Sequence, residues 1–483
     1  MTKWFLIIFL VIGVFLRFYF ISNQSYWMDE GYTINAVTLI LEKGKPILDS
    51  GEYYSCPIYC NVITLATKIF DNDTFAYRSV SAIAGSLLII IIFFFSRRLF
   101  NTKVALWSAF FTAFSYFEIA WSRTARSYTL FALFFWLTLF FFYKYLYDQK
   151  QKILYLAMAT GGAVFSILLH KIGIILPFIL IGWTIFESLK IKKINWPALI
   201  LLSIIGAVGI GEVLGWNIKL NFWFFNYAIF YLKEYLVFWL LMLALILFAK
   251  NYLARYKKEV CFLVLPAGIY FLTASIFSPV PQYRYLFHLL PAIFILGGVS
   301  IEFLEEKFKF NWQKVIFSII MVILFLSTTG IYWPQKNYYL ESDNLLGLKR
   351  NYYAYVPEPN WNDAYKIIKE KRKSAEIVIS SQTVFNKIFL QEAGYWIKYP
   401  YLGSEDPKIY IKDDKEYYVG AKVIDDFAEF KEITSKNHGF IIFDFMALDN
   451  RIPQEILDYI YANFELIYYD KMNPHSQIWV YRF

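Results

Sequence analysis

Trp27-Met28-Asp29-Glu30-Gly31-Tyr32 follows directly on the apolar run Trp4–Ile21 and decides how the chain is read. At 1.5 Å per residue, such a run crosses the roughly 30 Å hydrocarbon core of a bilayer. Two adjacent carboxylates at the outer end of a first span are poor packing and poor anchors. They are well placed for chemistry at the outer face of a membrane.

Composition agrees with a membrane protein. Hydrophobic residues make up 58% of the chain and charged residues 18%, with mean hydropathy +0.43; soluble domains run nearer half apolar and a quarter charged. The 49 Phe and 39 Tyr suit bundle surfaces and membrane interfaces. Eleven apolar spans are expected, near 4–21, 79–96, 104–122, 127–143, 153–170, 172–189, 196–215, 235–249, 259–278, 285–303 and 315–333.

Placing the N-terminus in the cytoplasm puts 17 of the 28 Lys and Arg before residue 334 at the inner side, among them Arg97, Arg98, Lys103, Lys257 and Lys258. That is the positive-inside pattern. The net charge of +9 is therefore topological, and a nucleic-acid partner is excluded on this reading. The first span lacks a small-residue cleavage site and reads as an uncleaved anchor.

Two domains are expected. Residues 1–333 form the membrane bundle, and 334–483 form an extracytoplasmic α/β domain. Within the bundle, the first external loop, 22–78, carries apolar residues at helical spacing in Tyr32-Ala36-Leu39-Ile40 and Tyr59-Ile63-Ala66. These predict two interfacial helices, the first broken at Gly44 and Pro46. In the external domain, helices are expected over 361–371, 383–393 and 454–463. Strands are expected over 376–380, 439–444, 464–469 and 477–481. Cys56 and Cys60 lie four apart in an expected helix, which favours free thiols over a bridge.

Each motif has a plain reading and a chemical one. Asp29-Glu30 is either a helix start or a general base with a neighbouring acid; in a chain so poor in external acids the second is preferred. Asp71-Asn72-Asp73 is a turn before a helix rather than a metal-chelating D-x-D. Arg78, Arg123, Arg126, Lys171 and Arg284 all fall at outer ends of spans. Snorkelling explains any one of them. Together they run against the positive-inside pattern and imply an anionic partner, for which phosphate is the natural choice. His170 and His288 read as packing residues, and no zinc spacing or phosphate-binding loop is present.

Taken in order, Trp27-Met28-Asp29-Glu30, Pro57-Ile58-Tyr59, Phe75-Ala76-Tyr77-Arg78-Ser79-Val80-Ser81, Arg97-Arg98-Leu99-Phe100, Arg126-Ser127-Tyr128 and later Pro281-Gln282-Tyr283-Arg284-Tyr285 resemble the GT-C glycosyltransferases. The group of protein O-mannosyltransferases and lipid A aminoarabinose transferases is the most similar. The resemblance implies a GT-C-like bundle of about eleven transmembrane helices. It implies an enzyme that moves a sugar from a polyprenyl-phosphate donor to a protein, lipid or glycan acceptor outside the cytoplasm, with inversion.

The family's acidic pair falls on Asp29 and Glu30, the catalytic candidates, and its arginines on Arg78 and Arg126. Lys171 and Arg284 complete the donor-phosphate set. Where the family usually reads His-Pro-Pro-Leu-Tyr this chain has Ser55-Cys56-Pro57-Ile58-Tyr59, and Thr124 stands where Glu is common; no metal site is expected. No cofactor is required on this reading, with a divalent cation left open. The expected location is the cell membrane, with the N-terminus cytoplasmic. The rival reading, a lipid or small-molecule transporter or flippase, calls for midplane charges or paired broken helices, and the span interiors are nearly free of charge.

Overall fold

The computed structural model describes residues 2–54, 56–71, 73–148, 150–213, 222–278, 283–329, 359–397, 410–448, 452–470 and 477–483. Ser55, Asn72, Pro281, Gln282 and the expected domain boundary at 333/334 lie outside the described residues. The helices before that boundary are, in chain order, α1 (Thr2–Phe18), α2 (Met28–Lys43), α3 (Pro57–Phe70), α4 (Thr74–Leu99), α5 (Thr102–Phe114), α6 (Tyr116–Ser122), α7 (Tyr128–Tyr147) and α8 (Lys152–Leu169). They continue as α9 (Ile175–Lys190), α10 (Trp196–Val213), α11 (Phe224–Glu234), α12 (Leu236–Phe248), α13 (Lys250–Arg255), α14 (Lys257–Phe277), α15 (Leu290–Glu305) and α16 (Asn311–Thr329).

The chain divides into two compact units. One holds residues up to Tyr19 and the helices from Arg78 onward; the other joins Phe20–Tyr77 to the C-terminal domain. Thus the segment Phe20–Tyr77 folds with the C-terminal sheet.

The first unit is a helical bundle. Among the described residues, six helices are long and apolar enough to cross a membrane, and up to eight if each of two bent pairs is one span. One bent pair is α5–α6, which turns by 56°. Ser115 makes the break: its backbone is extended, and its side chain accepts the Glu118 N–H to start α6. The best-packed neighbours are α7 with α8, α5 with α15, α9 with α10 and α1 with α5. Gly298 on α15 sits so close to α5 that a Cβ there would lie 3.0 Å from the Val104 carbonyl oxygen.

Several buried polar groups in the bundle are paired across helices. Arg17 of α1 donates to the carbonyls of Gly13, Ala113 and Thr112 and to the Ser122 hydroxyl. Arg123 donates to the carbonyls of Leu16, Arg17 and Tyr19, which satisfies the open C-terminal end of α1. Near the other ends of the helices, Glu302 of α15 accepts from Asn101 and Tyr252, while Glu305 accepts from Lys103 and Ser318.

In the second unit, the C-terminal helices are α17 (Trp361–Lys371), α18 (Thr383–Leu390), α19 (Phe427–Lys436), α20 (Phe445–Leu448) and α21 (Gln454–Asn463). The strands are β1 (Ile377–Ser380), β2 (Tyr395–Ile397), β3 (Ile411–Lys412), β4 (Lys415–Glu416), β5 (Lys422–Ile424), β6 (Gly439–Asp444), β7 (Glu465–Tyr469) and β8 (Ile478–Arg482). They form one sheet in the order β3-β4-β5-β2-β1-β6-β8-β7. The centre is parallel, with Ile377–Ser380 in register with Gly439–Ile442, and β8 runs antiparallel between β6 and β7. Every residue of β6 is buried, as expected for a strand covered on both faces. Ile379, Ile441 and Phe443 pack with Phe430 of α19 and Ile456 and Ile460 of α21.

The expected helices of this domain are present as α17, α18 and α21, and the expected strands as β1, β6, β7 and β8. The short strands β2 to β5 and helix α19 were not expected. The two helices of the first loop are present as α2 and α3, and α2 ends at Gly44 with φ 72°. The thiol expectation is corrected: Cys56 and Cys60 form a disulfide, with Cα atoms 5.5 Å apart. Cys56 is the N-cap and lies before the helix proper, at φ −143°. Its backbone is thus not held to helical geometry, which lifts the constraint that made a bridge within a helix unfavourable.

Candidate active site

The cationic candidates of the bundle unit gather on one aromatic frame. α7 begins at Tyr128, and Arg126 in the preceding turn lies over the Tyr128 ring at 5.9 Å. Arg284, in the 3-10 turn Tyr283–Leu289, lies over the same ring at 6.0 Å and over Tyr285 at 5.7 Å. His170 completes the frame, with ring centroids 5.5 Å from Tyr128 and 5.8 Å from Tyr285.

Lys171 follows His170 at the start of a short 3-10 turn, Lys171–Ile174. His170 Nδ1 accepts the Ile172 N–H and so caps this turn. It lies between the apolar helices on either side, in neither of them. Burial, then the charges of Arg126, Arg284 and Lys171, press its pKa down to about 3. A neutral imidazole surrounded by three cations marks a strongly positive locus.

Arg78 is fully buried near the start of α4. One turn on, the Ser81 hydroxyl donates to the Arg126 carbonyl at 2.9 Å and fixes the backbone that carries Arg126. Arg126, Lys171 and Arg284 are thus brought together, and Arg78 stands on the helix that holds one of them. Arg123 serves the end of α1 as described above. His288 sits among Phe131, Phe135 and Tyr270, each centroid 4.8 Å away, in keeping with packing.

The acidic candidates lie on α2, in the second unit. Glu30 is buried, and its Oε2 accepts the Trp27 N–H at 3.0 Å. It therefore closes the first turn of the helix in the manner of a capping box. Asp29 is half-buried, and its carbonyl accepts the Thr33 hydroxyl. Its side chain stands in the first turn of the helix. Asp73 of the Asp71-Asn72-Asp73 stretch accepts the Ala76 N–H and begins α4, so the plain reading holds for that residue.

The C-terminal domain grips α2 at this point. A Cβ on Gly31 would meet Val384 Cγ1 at 3.0 Å and Phe385 at 3.3 Å, both on α18. Tyr32 stacks on Tyr418 with centroids 4.0 Å apart and planes at 27°. Asn35 Nδ2 reaches the Tyr418 carbonyl at 3.4 Å. Sequence reading missed Tyr418 and its partners, because only folding brings residues nearly 400 positions apart together; the Tyr128–His170–Tyr285 frame was missed for the same reason.

Among the described residues, no group of three or more His, Cys, Asp or Glu side chains is arranged to hold a metal ion. Residues 55–216 match the family described as dolichyl-phosphate-mannose-protein mannosyltransferase. No curated protein sequence matches the chain significantly. The fold is similar to that of ArnT from Cupriavidus metallidurans, at 12% identity over 100% of this chain and 98% of that one, TM-score 0.60. A structure of the same ArnT bound to undecaprenyl phosphate gives 13% identity and TM-score 0.61, with the same coverage. The archaeal oligosaccharyltransferase AglB from Archaeoglobus fulgidus, in complex with an inhibitory peptide and a dolichol-phosphate, matches at 12% identity over 99% of this chain and 74% of that one, TM-score 0.57. The chain thus shares its fold with ArnT and AglB along essentially its whole length, and the mannosyltransferase family match falls within that shared fold, across residues 55–216.

Proposed function

We propose that this protein transfers a sugar from a polyprenyl-phosphate carrier to a hydroxyl-bearing acceptor outside the cytoplasm, with inversion at the anomeric carbon. The observation that carries the reading is the convergence of Arg126, Lys171 and Arg284 around Tyr128 and His170. A cluster of cations suits a lipid phosphate, because arginine pairs with phosphate through two parallel hydrogen bonds. The similar structures hold undecaprenyl phosphate or dolichol-phosphate, and AglB also holds a peptide, which supports a lipid-phosphate donor and a separate acceptor here.

In the reaction, the Asp29 carboxylate takes the proton of the acceptor hydroxyl. The oxygen attacks the anomeric carbon from the face opposite the phosphate. The bond from that carbon to the phosphate oxygen breaks, and polyprenyl phosphate leaves with the electron pair. Arg126, Arg284 and Lys171 stabilise the charge that grows on it. Arg78 supports the same phosphate. Glu30 holds the first turn of α2 and thereby orients Asp29. The scheme requires no tightly bound transition metal and leaves a divalent cation open.

The proposed topology has eleven spans, the N-terminus in the cytoplasm and the C-terminal domain outside, in the cell membrane. The test is chemical. Cells lacking the protein should accumulate a polyprenyl-phosphate sugar, and the purified chain should consume it with inversion when given envelope from those cells. A chain that moves the lipid between leaflets without breaking the sugar–phosphate bond would overturn the reading in favour of a flippase.

A further inference from the structure

The C-terminal domain carries a built element beside Asp29. β4 and β5 are joined by the turn Tyr417-Tyr418-Val419-Gly420, and Gly420 adopts φ +71° to close it. The turn is fastened from within. Glu416 is buried, and its carboxylate accepts the N–H groups of Tyr418 and Val419, each at 2.9 Å. The Gly420 N–H returns to the Glu416 carbonyl at 3.0 Å. The backbone of Tyr418 is thus held on both sides, by Glu416 at its nitrogen and by Asn35 at its oxygen.

Its ring is held as well, stacked on Tyr32. On α2, Asp29, Tyr32 and Asn35 follow one another at spacings of three and so climb one side of the helix. Tyr418 lies along that side. Its phenol is half-buried near Tyr54, Tyr410 and Asp29. Burial first, then these neighbours, holds the phenol above its ordinary pKa, so it stays an O–H donor. Backbone and ring are both accounted for by packing; the hydroxyl is the part that packing does not need.

We propose that the Tyr418 hydroxyl is an acceptor-binding group, which together with the Asp29 carboxylate orients the hydroxyl that receives the sugar. The C-terminal domain then contributes directly to the transferase rather than serving only as a cap or anchor. The inference rests on the transferase reading given above.

Tyr418→Phe is the decisive variant. Phenylalanine keeps the stack on Tyr32 and both backbone hydrogen bonds, and it removes one O–H. The full chain is purified in detergent. The donor is the anionic polyprenyl-phosphate-sugar fraction of envelope lipids from cells lacking the protein. The acceptor is the remaining envelope of the same cells, and the two fractions are titrated separately. The half-saturating amount of acceptor should rise roughly three- to tenfold, the loss of one neutral hydrogen bond. Donor saturation and melting temperature should stay at the wild-type values. Wild-type acceptor saturation in Tyr418→Phe, or a change confined to donor saturation, overturns the assignment of Tyr418. Absence of transfer by the wild-type chain overturns the reading beneath it.

Discussion

The guanidinium groups of Arg126 and Arg284 lie over a single ring, that of Tyr128, at 5.9 and 6.0 Å. A ring that carries a cation at each of two positions marks a locus suited to an anion. On the proposed reading, that anion is the donor phosphate. Arg126→Ala and Arg284→Ala should each raise the donor KM about ten- to a hundredfold, the loss of a charge-assisted hydrogen bond worth about 1.5 to 3 kcal/mol. The double variant should lose less than the sum, because the two groups share one ligand. Steady-state kinetics with the lipid fraction varied checks this; an effect on the acceptor KM alone would exclude a phosphate role.

Asp29 and Glu30 should separate although they are neighbours. Asp29→Asn keeps the shape and removes the base, so turnover should fall about a hundred- to ten-thousandfold. Glu30→Gln still offers an oxygen to the Trp27 N–H and should keep most activity, whereas Glu30→Ala opens the first turn. Turnover of the purified variants, with helicity by circular dichroism as control, distinguishes a base from a cap.

Gly31 is held against α18 by close approach. Gly31→Val places atoms into the space of Val384 and Phe385 and should destabilise the second unit by about 1 to 3 kcal/mol. Combining it with Val384→Ala should recover part of the loss. Thermal unfolding of the single and double variants gives the answer.

Glu416 makes the turn that carries Tyr418 sensitive to pH. Burial raises its pKa to about 7, while the N–H bonds from Tyr418 and Val419 pull the other way. For a carboxyl raised above its unfolded value, the stabilisation is complete below the unfolded pKa of about 4 and is lost as pH rises through about 7. The size is up to about 3 kcal/mol by linkage. Amide-exchange protection across 416–420, corrected for intrinsic rates, should fall between pH 5 and pH 8. Glu416→Gln should flatten the profile.

The cysteines bear on metal dependence. Cys56 and Cys60 are joined to each other, so neither offers a thiolate, and Asp73 is engaged in starting α4. Transfer should therefore survive a zinc-selective chelator. Loss of activity on chelation, restored by stoichiometric zinc, would reverse that expectation.

What the sequence made legible followed from local physics. Apolar runs announce the helical bundle, and Gly44 marks the end of α2 where the left-handed backbone demands it. The phosphate candidates were legible as cations against the charge rule. What stayed hidden was long-range. β2, β4 and β5 are two or three residues long, too short to show a period, and they are strands only because neighbours pair with them. Cys56 seemed helical until its place just before the first turn was known. The engagement of α2 by the Tyr418 turn leaves no trace in either segment alone.

Arg17 carries a consequence for how the chain is made. Its carbonyl partners on α5 and its hydroxyl partner on α6 lie 95 to 105 residues later in the chain. An arginine within an apolar helix costs about 2.5 to 3.5 kcal/mol on insertion scales when nothing satisfies it. At about 5 to 20 residues per second, synthesis leaves the first helix in that condition for several seconds or more. Until α5 and α6 emerge, α1 must keep its guanidinium at the headgroups or in a polar groove of the insertion machinery. α1, made well before its partners, is therefore among the last helices of the bundle to settle.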